Sequence, residues 1–129
     1  MEIRFPLFVR AKDSGEIYKF GSIYELQHEV EEIDIENKEY EAWDSAGIPV
    51  EMKAQKPIWL KLSAMVQGKG SNELLSAVEQ FGQSVGLKFS EPLTISSIEH
   101  AVDEARAELE RQLQAKRPLR RLIAGLRRK

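Results

Sequence analysis

Glu39-Tyr40-Glu41-Ala42-Trp43-Asp44-Ser45-Ala46-Gly47-Ile48-Pro49-Val50-Glu51-Met52-Lys53-Ala54 is the stretch on which the fold turns. Residues 39–43 read as a strand running into Asp44-Ser45-Ala46-Gly47, residue types that favour a turn. Beyond it, Ile48, Val50, Met52 and Ala54 alternate with Glu51 and Lys53, the period of two that marks a strand. So short a link favours antiparallel pairing, since a parallel neighbour needs a long crossover.

The pattern extends in both directions. Upstream, Ile3, Phe5, Leu7 and Val9 fall on one side and Arg4, Phe8 and Arg10 on the other, which predicts a half-buried strand. Lys12-Asp13-Ser14-Gly15 supplies a turn and residues 16–20 a return strand, giving a hairpin over 2–20. Ser22 and Glu25 have the spacing of a capping box, and Ile23, Leu26, Val30 and Ile33 line one face of a single helix ending near Ile33 or Asp34. Downstream, Pro57 opens a last strand in which Ile58, Leu60, Leu62, Ala64 and Val66 share a face. Leu74, Val78, Phe81 and Val85 mark a helix ending near Gly86. Ser96 and Glu99 then form a second capping box. Ile95, Ile98, Val102, Ala105 and Leu109 occupy heptad positions that continue through Gln112, Lys116, Leu119, Ile123 and Leu126, with Pro118 ending or kinking the helix near Arg117. The order β-β-α-β-β-β-α-α defines an α+β protein: a mainly antiparallel five-stranded sheet with helices packed on it and a long C-terminal helix. Trp43 and Trp59 fall opposite the apolar stripes of their strands, so helices are expected to cover that second face.

At 129 residues one domain is expected. The absence of cysteine excludes disulfides, thiolate metal sites and cysteine nucleophiles. No apolar run approaches the ~20 residues of a membrane span, and Met1-Glu2-Ile3-Arg4 lacks the basic start of a signal peptide, so a cytoplasmic location is expected. The net charge of −2 conceals a division. Residues 1–115, read as a single acidic domain, carry 12 Lys and Arg against all 21 acids, a net of −9. Residues 116–129 carry 7 basic residues and no acid, and read as a basic amphipathic tail continuous with the last helix.

Two candidate surfaces follow. Eight acids between Glu29 and Asp44 face only Lys38, and Glu36, Glu39, Glu41, Trp43 and Asp44 are the expected partner-binding patch, able to steer a basic partner. In the tail, Leu119, Leu122, Ile123 and Leu126 form an apolar stripe. Arg117, Arg120, Arg121, Arg127 and Arg128 are its expected contacts, either on the chain's own acidic body or on an external polyanion.

Catalytic residues, a metal and a cofactor are not expected. The acidic run lacks the EF-hand pattern, and Gly68-Lys69-Gly70-Ser71 has Ser63 where a Walker A loop needs glycine. His28 beside Glu31 and Glu32 has the character of a solvated pair, and no nucleophile elbow occurs.

Ile33-Asp34-Ile35-Glu36-Asn37-Lys38-Glu39-Tyr40-Glu41-Ala42-Trp43-Asp44, followed by Gly47, resembles a segment of a family of small uncharacterised bacterial proteins, over roughly residues 17–50. The resemblance implies a recurrent helix-to-hairpin unit and brings no activity with it.

The leading expectation is a non-enzymatic bacterial protein-interaction module, in one form an acidic inhibitor or immunity-type protein covering a basic toxin surface. Its partner would be another protein, or a second copy engaged through the C-terminal helix. The alternative is a nucleic-acid or anionic-membrane accessory protein acting through the tail, and a small enzyme ranks third.

Overall fold

The computed structural model describes residues 2–54, 60–65 and 70–115. Strands β1 (Leu7–Ala11) and β2 (Ile17–Phe20) are followed by helices α1 (Ile23–Glu29) and α2 (Glu32–Glu36). Strands β3 (Tyr40–Trp43), β4 (Pro49–Ala54) and β5 (Leu60–Ala64) come next, then helix α3 (Gly70–Ser84), a 3₁₀ turn at Ile95–Ser97 and helix α4 (Ile98–Ala115). The strands form one antiparallel sheet in the order β2-β1-β3-β4-β5. The fold is therefore α+β, with a long final helix.

Alternation along the strands divides the core in two. On one face Phe8, Ile17 and Trp43 pack with Leu74, Val78 and Phe81 of α3 and Ile98, Val102 and Ala105 of α4. On the other, Leu7, Val9, Phe20, Ala42, Val50 and Leu60 pack with Leu26, Val30 and Ile35 from the α1–α2 segment. β1 is thus buried on both sides. Phe8 is the reason: it supplies a large apolar side chain on the face expected to be polar, and α3 and α4 cover it. Trp43, 2% exposed, is covered by the same helices.

The helix expected from Ser22 to Ile33 is instead two short ones. Ser22 Oγ accepts from the Glu25 amide at 3.2 Å, and Glu25 Oε2 accepts from the Gly21 amide at 2.7 Å. Val30 and Glu31 then turn extended and break the run. The break re-phases the chain, so that Ile35 is buried and Ile33 is left 55% exposed. At the last helix the cap also moves: Thr94 and Ser97 form the capping box, two residues before the expected pair.

Two devices close the sheet at β2. Lys19 reaches Asp103 at 2.8 Å and Glu99 at 3.3 Å on α4. Arg106 lies 4.4 Å over the Tyr18 ring, with Glu16 Oε1 at 3.8 Å. A helix laid along an edge strand in this way blocks pairing with another chain.

Candidate partner-binding cleft

The Asp44 turn sets the geometry. Asp44 is fully buried; its Oδ1 accepts from the Ala46 amide at 2.9 Å and the Ile48 amide at 3.0 Å, while Oδ2 accepts from Arg4 at 3.4 Å. Gly47 follows at φ +83°, a left-handed conformation that glycine takes at little cost. The turn holds β3 and β4 together at Ala42–Val50 and Trp43–Pro49, the two register pairs between them. Past these pairs lies a cleft of about 820 Å³ beside α2, with Ile35, Tyr40, Val50, Met52 and Met65 in its wall. Met65 is 45% exposed and Ile33 lies on the same short helix as Ile35. This side of the sheet is apolar across its width, and among the described residues two helices of 7 and 5 residues shield it.

Glu36 of α2 lines this cleft together with Glu41, Glu51 and Glu73, and Glu36 belongs to a run of acids over residues 29–39. Glu29, Glu31, Glu32, Glu36 and Glu39 are exposed and Asp34 is half-buried. Among the described residues none of these six takes part in an ion pair, whereas Glu16, Glu41, Glu51, Glu99 and Asp103 all do. Hydrogen bonding to Asp34, together with the Asp34 charge, holds the Glu39 carboxyl above the usual range. Burial raises the Tyr40 phenol, and the charges of Asp34, Glu39, Asp13 and Glu31 push it further in the same direction. Lys12, Lys38 and Lys53 also reach the rim, although Lys53 is paired with Glu51 at 3.0 Å. Glu41 is paired with Arg10 at 3.5 Å.

Of the five residues expected in the patch, Glu36 and Glu39 are exposed at it and Glu41 lies half-buried in its wall. Trp43 and Asp44 are corrected. Trp43 is a core residue under α3 and α4, and Asp44 spends its carboxylate on backbone amides, so neither presents a side chain to a partner. The tail residues Arg117, Arg120, Arg121, Arg127 and Arg128 lie outside the described residues, as do Trp59, Gly68 and Lys69, while Gly70 and Ser71 open α3. The heptad stripe as far as Leu109 faces α3 and the sheet, and Gln112 Nε2 donates to the Val85 carbonyl at 2.8 Å. The stripe as far as Leu109 is thereby packed within the chain, and its expected continuation through Lys116, Leu119, Ile123 and Leu126 lies outside the described residues.

His28 is exposed on α1, and among the described residues no three His, Cys, Asp or Glu side chains are grouped as metal ligands. No described helix is long and apolar enough to cross a membrane. The sequence places Tyr40 and Met52 in strands; that they border an open cleft is visible only in the assembled sheet, where β3 and β4 pair at Ala42–Val50 and Trp43–Pro49 alone. No known protein family matches the chain, and neither curated proteins nor solved structures provide a match.

Proposed function

We propose that this protein is an interaction module that binds a basic, partly apolar protein segment in the cleft beside α2. One observation carries the reading: the cleft sets an apolar wall beside Glu36, which belongs to a run of six acids over residues 29–39 that have no ionic partner among the described residues. Apolar contact with Tyr40, Met52 and Met65 would supply affinity, and the carboxylates would supply on-rate and discrimination against acidic competitors. An inhibitor or immunity-type role, in which the module covers a basic surface of its target, is the specific form favoured by this chemistry.

The test places a photo-crosslinking amino acid at Met52 in the full chain, with Tyr24 on α1 as control. Tyr24 is 78% exposed but does not line the cleft. A basic protein crosslinked from Met52, absent from Tyr24, and lost with Glu36→Lys plus Glu39→Lys is the expected result. Identical adducts from both positions, or adducts indifferent to charge reversal, would end the proposal.

A further inference from the structure

We infer that in the free chain the cleft beside α2 is occupied by the chain's own basic segment, residues 116–129, which an external partner must displace. This rests on the reading of the cleft as a binding site for basic segments and names its resident occupant.

Three observations converge. The first is where the described chain ends. Gln112 on the last turns of α4 is bonded to Val85 at the end of α3. Gln80, Phe81 and Ser84 of α3 flank Lys12 and Gly15 of the β1–β2 turn, and Lys12 also lines the β3–β4 cleft. α4, which ends at Ala115, therefore runs toward the end of the sheet at which Lys12 borders the cleft. Second, the reach suffices. From β2, against which α4 packs, to β4 is three strand spacings, about 15 Å. Rounding the sheet adds about 10 Å, whereas 14 extended residues span on the order of 45 Å. The third is chemical fit. The segment carries seven cations, no acid, and Leu119, Leu122, Ile123 and Leu126. Opposite stand Glu36, Glu41, Glu51 and Glu73 in the cleft lining, which outnumber its Lys12, Lys38 and Lys53, and the apolar wall of Ile35, Tyr40, Met52 and Met65. No other part of the chain combines that charge with that apolar content.

The test exploits the lack of native cysteine. Glu36→Cys paired with Ile123→Cys is oxidised in the full chain, alongside Met52→Cys with Ile123→Cys. The reference pair is His100→Cys with Ile123→Cys, since His100 is exposed at the start of α4, away from the cleft. Both cleft pairs should close an intramolecular disulfide roughly tenfold faster than the reference, reflecting a raised effective concentration. Arg120→Glu with Arg121→Glu should abolish the advantage. Because Glu36 is exposed on the surface, a folding defect in the Met52 variant would leave the first pair informative. Equal closure rates would overturn the inference, and so would predominantly dimeric disulfides, which would assign the cleft to a second copy. In either case a charge-dependent crosslink from Met52 to a separate basic protein would still support the proposed function.

Discussion

Asp44 illustrates how a residue's chemistry can be recognisable while its role is not. An acid beside seven others reads as part of a charged surface, yet three backbone amides converge on it and it is fully buried. Asp44→Ala leaves those buried donors without an acceptor, and urea denaturation is expected to show a loss of about 2–4 kcal/mol; a loss under about 0.5 kcal/mol would refute the role given to its carboxylate. Gly47 and Gly15 make a matched comparison. Both have positive φ, but a Cβ on Gly47 would sit 2.8 Å from Ser71 Cα, whereas one on Gly15 would meet nothing within 4 Å. Gly15→Ala is expected to cost about 1 kcal/mol from backbone conformation alone, and Gly47→Ala clearly more, with the two midpoints measured side by side. Glu39 gives a pH signature. Its carboxyl is held above the usual range, so it favours folding at low pH and opposes it as pH rises through the raised value. Glu39→Gln should therefore raise Tm at pH 7, and the gain should vanish below about pH 4.

At the scale of elements, most of the strands and both long helices were legible because their apolar periodicity is strong. The α1–α2 break was not. Ile23, Leu26, Val30 and Ile33 fit a helical stripe as well as any in the chain, but burying Ile35 over β4 contributes more than extending one helix with Ile33. Gln112 was equally misleading: as a polar residue at a heptad position it looks like a weak point. It is instead a tether, donating to the Val85 carbonyl at the end of α3. Replacing it with Ala should cost about 1 kcal/mol and speed amide exchange at the α3 C-terminus; unchanged exchange there would show that the tether is dispensable.

Among the described residues one sheet face is covered by the two long helices and the other by the short α1 and α2, and the proposed function lives on the second. A consequence concerns the heptad stripe. Val102 is fully buried between α4, α3 and the sheet, so Val102→Asp should unfold the chain. If Val102 lay in an intermolecular seam, the same change would give a folded monomer, and sedimentation with circular dichroism separates the two. The charged part of the candidate site was readable: Glu36 and Glu39 stand out by charge and stay exposed. Tyr40, Met52 and Met65 could not be assigned to a cleft, because local pattern shows which way a side chain points, not whether anything lies on top of it.

By itself the sequence determined the α+β class, the antiparallel hairpins, most of the buried stripes and the separation of charge between residues 1–115 and 116–129. Those properties are carried by neighbours along the chain, through periodicity, turn chemistry and composition. Only the tertiary structure decided that Trp43 and Asp44 are interior, that β1 is buried on both faces, and that a cleft lies beside α2. Each of these depends on which distant element covers which face, and coverage is settled by competition among all the apolar surfaces at once.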